Sequence, residues 1–470
     1  MNKTLQHVLF GAVLIGGMPV VALAQNAKGG ISPEMLQRIE AATPQTPVSK
    51  ALQNAISANQ IKKLTVNNEN RFMFDREFSH RVQSKGITDQ KSSGRCWLFT
   101  GLNVYRAKVI QTNDLSDFRF SHVYSFFFDQ LEKSNLFLQG VIDHVAKPMD
   151  DKMVEWLFKH PLNDGGQYTG VSDILTKYGV VPTEAMPETY NSENTDEMGR
   201  ILSTKLRRDG LLIREAYARG AKAKKLQEMK ETTLAEIYRI LCYCLGTPPK
   251  KFEYTLRNSK GEVISTKEYT PKSFFAEFIG DNLVDNYVML MNDPSRPYGK
   301  LYEIDYDRHS YDGRNWTYVN LPIEDIKEMA IASIKGNDAM YFSCDVGKEL
   351  NSDHGTLDMT NYEIENLFGI ALQMDKKDRI RTFTSGSTHA MTLVAVDIDA
   401  NGKPTKWMVE NSWGDRKGYK GHLIMTDKWF DEYMFRLVVN KKYITAKVAE
   451  ILKTKPTRLP AWDPMFAGDK

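Results

Sequence analysis

Residues 89–101, DQKSSGRCWLFTG, decide how the rest of the chain is read. Ser92, Ser93 and Gly94 have loop and N-cap character, while Trp97, Leu98, Leu102 and Tyr105 recur at helical spacing, so Cys96 falls in the first turn of a helix. A thiol there faces the positive end of the helix dipole and N–H groups that have no intrahelical acceptor, and both favour the thiolate. A lone cysteine is more often a small core hydrophobe. The functional reading gains weight from Gln90, whose side-chain amide can donate to an oxyanion together with the Cys96 backbone N–H, and from a His and an Asn far downstream.

That His is His389, at the head of the apolar strand HAMTLVAVDID; a turn at Ala400, Asn401 and Gly402 follows, and TKWMVEN leads to Asn411. Pairing positions symmetric about residue 400 or 401 places Asn411 opposite residues 389–391, about 5 Å away at Cβ and within reach of a side-chain hydrogen bond. Of nine histidines, His389 alone combines a buried strand start with such a neighbour. Trp413, in NSWGD, would lie over the contact and exclude water, although a tryptophan after a strand is also ordinary core material. Gly165 and Gly166, in DGGQ, leave a bare backbone that can bond an extended peptide as a sheet edge does. Alone, that dipeptide reads as a turn.

With 470 residues, the chain has room for two or three domains, and a net charge of +3 excludes a globally basic nucleic-acid binder. Residues 1–24 read as a signal peptide cleaved after Ala24, predicting a periplasmic or secreted protein, and no later stretch is long and apolar enough to span a membrane. Four cysteines are too few for a disulfide scaffold, and Cys242 and Cys244 read as core residues. Residues 25–75 form a helical arm expected to pack on the body, 76–190 a helical unit with the nucleophile, and 337–450 a β unit with His389 and Asn411. Between them, 191–336 carries charged helices and a hairpin turned at Lys260 and Gly261, and reads as an insertion. Nine Lys/Arg against three acids in 205–230 form a solvated face or a weak contact for nucleic acid. The tail 451–470 has apolar anchors and is expected to dock.

In chain order, QKSSGRCW at 90–97, DGGQ at 164–167, THAM at 388–391 and ENSWG at 410–414 resemble the papain-like cysteine peptidases. More closely, the chain resembles their bleomycin hydrolase and aminopeptidase C branch, which DREFSHRV before the nucleophile, KYGVVP at 177–182, CDVGK at 344–348 and LPAWDPM at 459–465 also fit. The resemblance implies an α+β, two-lobed papain-like fold, a helical lobe plus a β-barrel lobe, with a large mostly helical insertion. It further implies a homohexamer assembled through 191–336, and a C-terminal arm in the cleft whose terminal carboxylate, on Lys470, anchors the substrate's amino group. Cys96 and His389 lie 293 positions apart; without the insertion the spacing falls to roughly the 130–150 of ordinary papain-like enzymes.

The expected activity is hydrolysis of N-terminal residues of peptides through a thioester, with Cys96 as nucleophile, His389 as acid and base, Asn411 orienting the imidazole and Gln90 at the oxyanion. Neither a metal nor an organic cofactor is required. An endopeptidase, if the arm leaves the cleft open, and a basic ring that mainly binds nucleic acid are the alternatives. A transglutaminase-like acyltransferase would usually use Asp where Asn411 stands.

Overall fold

The structure, a computed structural model, describes residues 29–467 apart from 44, 73, 74 and 116. The expected signal peptide and Lys470 lie outside the described residues. Two compact units divide the chain after Leu64.

In the first unit, Pro33–Ala41 and Pro47–Ala58 are helices followed by the single turn Ile61–Leu64. Each longer helix starts where the sequence caps it. Ser32 Oγ accepts from the Met35 N–H, and Thr46 with Ser49 forms a capping box, with a proline in each first turn. No residue of these helices is buried.

The second unit is α+β. Its helical side is built on Cys96–Asn113, His122–Asp143 and Tyr168–Tyr178, onto which Asp196–Ala218 and Ala223–Leu245 pack. The two long helices are amphipathic: Leu202, Leu206, Ile237 and Leu241 are fully buried in the same core as Trp97 and Phe127. Phe126 and Phe127 are fully buried as well, so the aromatic run at 126–128 is helix face. The hairpin Phe252–Arg257 with Val263–Tyr269 turns where expected, Gly261 taking φ +82°, a conformation suited to glycine.

The β side is one mixed twelve-stranded sheet. Its path runs Thr457–Leu459, Lys300–Ile304, Thr317–Asn320, Tyr287–Met291, Met434–Asn440, Met340–Cys344, His389–Ile398, Pro404–Glu410, His422–Thr426, Thr356–Leu357 and Leu350–Asn351, with His80–Arg81 pairing beside the His389 strand. Leu290, Val319, Phe342, Leu393, Val409 and Leu437 fill its core. Three of these strands, between 287 and 320, belong to the stretch read as an insertion, yet they pair into the main sheet through Met434–Asn440. His80 is half-buried by its strand pairing.

The tail crosses this body. Thr457–Leu459 pairs parallel with Lys300–Ile304, Ala461 and Met465 are buried, and Asp463 forms an ion pair with Arg296. Among the described residues, no helix is long and apolar enough to cross a membrane.

Candidate active site

Cys96 opens the helix Cys96–Asn113 as the sequence predicts, but the cap differs. Arg95 is the N-cap and makes no side-chain cap bond. Ser93 is committed elsewhere: its hydroxyl donates to the Gln90 carbonyl at 2.5 Å and accepts from Arg95 Nε. The loop is instead held by Asp164, whose carboxylate accepts from the Gly94 N–H at 2.6 Å and from the Thr195 hydroxyl. A Cβ on Gly94 would lie 2.3 Å from that carboxylate, so the loop requires glycine there. Asp164 opens the DGGQ motif and was legible only as a neighbour of the glycines.

The partner elements converge on the same place. Thr392 pairs with Glu410, and Gly402, at φ +79°, turns the hairpin, so Asn411 falls within the predicted register. His389 Nε2 donates to Asn411 Oδ1 at 2.8 Å. The Ser412 N–H donates to the same oxygen, which fixes the amide's orientation and therefore the imidazole's tautomer: Nε2 carries the proton and Nδ1 keeps its lone pair. Trp413 stacks on the ring with centroids 4.8 Å apart. Burial pushes the imidazole down to about 4, and the Asn411 hydrogen bond offsets part of this.

Gln90 is buried and locked at both ends of its amide. Its oxygen accepts from the Ser412 hydroxyl at 2.6 Å and its nitrogen donates to the Ser93 carbonyl, leaving a second N–H on Nε2. Ser412 thus ties Gln90 to the Asn411 loop, a role the sequence did not reveal. A deeper tie joins Arg106, on the helix that Cys96 opens, to Glu410, just before Asn411; both are buried, and Ser84 donates to the same carboxylate.

A cleft of about 160 Å³ brings Gln90, Cys96, Gly165, Gly166 and His389 together. Arg436 lines it too and donates to the Met465 carbonyl, so the tail is bonded to a cleft residue. The other cysteines differ in kind. Cys242 and Cys244 are half-buried against the helical core, and the Cys344 thiol, fully buried beside Asp345, is pushed well up. In the basic stretch 205–230, seven of the nine cations already bond carboxylates, carbonyls or an amide; Lys205, for example, pairs with Asp209 and Glu236. Four of the seven meet a carboxylate, whereas Arg207, Arg214 and Lys230 bond neutral oxygens and keep their charge.

Comparison with known proteins agrees with this geometry. Residues 30–466 match the Peptidase C1-like family. Human bleomycin hydrolase is 40% identical over 402 residues, covering 83% of this chain and 88% of that protein. Aminopeptidase C of Lactobacillus delbrueckii subsp. lactis is 36% identical over 419 residues, covering 88% of this chain and 93% of that protein. The crystal structure of PepW from Lactobacillus rhamnosis superposes with a TM-score of 0.89 at 36% identity, over 93% of this chain and 99% of its own. A match that takes in both the Cys96 helix and the distant His389 hairpin establishes that the chain belongs to the Peptidase C1-like family of cysteine peptidases.

Proposed function

We propose that this protein is a cysteine-type aminopeptidase that releases N-terminal residues from peptides. The observation that carries the reading is the cleft in which Cys96 meets an imidazole already held by Asn411. Burial alone keeps His389 neutral, so an imidazolium forms there only together with the Cys96 thiolate, the proton passing to Nδ1. The thiolate attacks the scissile carbonyl carbon, and the oxyanion takes hydrogen bonds from Gln90 Nε2 and the Cys96 backbone N–H. His389 then gives its proton to the leaving amine. Water, deprotonated by the same ring, hydrolyses the thioester and restores the thiol. Gly165 and Gly166 offer the substrate backbone an edge.

Selection of free N-termini rests on the tail. The Arg436 bond to the Met465 carbonyl starts the last residues from the cleft wall, where the Lys470 carboxylate would meet a substrate ammonium. Export after Ala24 and assembly into a homohexamer complete the proposal, on the sequence features given above. The test compares peptides with free and acetylated N-termini on intact protein and on protein lacking the last few residues. Acetylation is expected to abolish cleavage by the intact enzyme and to matter much less after truncation; equal cleavage of both peptides by the intact enzyme would make it an endopeptidase.

A further inference from the structure

The cleft has two walls. Tyr341, Ser343 and Arg436 line it from the sheet, and Gly94, Asp164, Gly165 and Gly166 line it from the helical side. Each wall carries one charged side chain. Arg436 is committed: it donates to the Met465 carbonyl, and its guanidinium lies over the Trp316 ring at 4.4 Å. Asp164 is only half committed. Both hydrogen bonds that its carboxylate accepts, from the Gly94 N–H and the Thr195 hydroxyl, fall on Oδ2; among the described residues none reaches Oδ1. The side chain is half-buried, and Oδ1 lies over Gly94, which has no side chain to cover it.

The cations next to this loop are taken by other acids. Arg95 is fully buried and pairs with Glu188 at 2.8 Å, and Lys91 pairs with Asp89 at 2.7 Å. A carboxylate oxygen left open in a cleft calls for a donor, and a charged donor bonds it about twice as strongly as a neutral one. Its place relative to the chemistry is fixed. The Gly94 carbonyl lies 4.0 Å from the Cys96 sulfur, and Asp164 opens the Gly165–Gly166 edge along which the substrate backbone runs. In an aminopeptidase, the residue whose carbonyl Cys96 attacks is the N-terminal one. Its ammonium is held from the sheet wall, where the Arg436 bond starts the tail, so its side chain is the group that passes Asp164 on the other wall.

We propose that Asp164 Oδ1 selects the side chain of the substrate's first residue, and that the preferred substrates are peptides beginning with lysine or arginine. The inference rests on the aminopeptidase reading and adds the substrate class to it. A lysine ammonium or an arginine guanidinium supplies the donor that Oδ1 lacks. An apolar side chain would desolvate the carboxylate without pairing it, and an acidic one would meet like charge.

Steady-state kinetics on the full chain with lysyl, norleucyl and glutamyl fluorogenic amides tests this, because norleucine keeps the lysine stem and lacks its ammonium. The kcat/KM for the lysyl amide is expected to exceed that for the norleucyl amide by at least about 10-fold, and that for the glutamyl amide by more. Asp164→Asn keeps an oxygen for the Gly94 N–H and the Thr195 hydroxyl while removing the charge, so the lysyl-to-norleucyl ratio should fall to about 1. A general loss of rate from the loop cancels in that ratio. Should the variant fail to fold, a crystal of the Cys96→Ala protein with lysyl-alaninamide is expected to place the side-chain ammonium on Oδ1. Equal rates on the lysyl and norleucyl amides, a ratio that survives Asp164→Asn, or an ammonium bound away from Asp164 would overturn the proposal. The same amides with acetylated N-termini separate it from the aminopeptidase reading. Cleavage of the Nα-acetyl-lysyl amide with the preference intact would sink that reading and leave Asp164 its role, whereas free amines cleaved without preference would do the reverse.

Discussion

Two buried histidines in this molecule have nearly the same surroundings. His389 donates to Asn411 Oδ1 at 2.8 Å beside Trp413, and His309 meets Asp129 Oδ1 at 2.5 Å beside Trp97, with ring centroids 4.8 and 4.7 Å apart. Burial lowers both imidazoles. What separates them is the other side of the ring. His389 shares a cleft with Cys96, whereas His309 is clamped between two glycines: a Cβ on Gly166 or Gly170 would come within 2.2 Å of it. Its carboxylate partner is shared with Lys133, which in turn holds the Gly165 carbonyl. On the proposed mechanism, a His, an oxygen acceptor and a Trp therefore serve the chemistry in one place and support the Gly165–Gly166 wall in the other; the opposing thiol is what differs.

Replacing the two histidines separately breaks the likeness most sharply. Cys96→Ala and His389→Ala are each expected to lower kcat/KM by at least about 10⁴-fold on an aminoacyl fluorogenic amide. His309→Gln should lower it less than about 10-fold while reducing Tm. A collapse of activity in His309→Gln at unchanged Tm would mean that the second histidine takes part in the chemistry. Next in size is Gln90→Ala, which removes the proposed oxyanion donor and should cost about 10²–10³-fold in kcat with a smaller change in KM. Steady-state kinetics separate the two.

Acid compares the two rings through stability. The unfolded chain protonates histidine below about 6.5, but native His389 does so only below about 4, so between those values the unfolded state binds more protons and stability falls as pH falls. The loss from His389 amounts to about 3 kcal/mol once pH reaches 4. Urea titrations of native protein and His389→Asn should show it as a difference in slope that vanishes above pH 7. The smallest effect is expected from Gly166→Ala, whose methyl would press on the His309 ring and destabilise by about 1–3 kcal/mol. Its midpoint in urea measures this directly.

Local pattern made the elements of the candidate site legible. The apolar spacing after Gly94 placed Cys96 at a helix start, and the symmetric hairpin placed Asn411 beside His389, because both depend on residues within about twenty positions. The supports were not legible, since their partners meet only through the fold. Asp129 and His309 are 180 positions apart, Arg106 and Glu410 are 304 apart, and neither stretch has a periodicity that points to the other. Ser93 misled for the same reason: its hydroxyl suits an N-cap, but the Gln90 carbonyl claims it. Strands 287–320 looked like part of a separate insertion because their sheet neighbour, Met434–Asn440, is translated more than a hundred residues later.

That late strand has a consequence for how the enzyme is made. Met434–Asn440 lies between Tyr287–Met291 and Met340–Cys344, so the two halves of the sheet join only near the end of synthesis. At roughly 5–20 residues per second, Cys96 leaves the ribosome about 15–60 s before His389 does. Throughout that interval the nascent polypeptide carries a sulfur without its proton acceptor, and the cell is spared an active protease still attached to its own messenger.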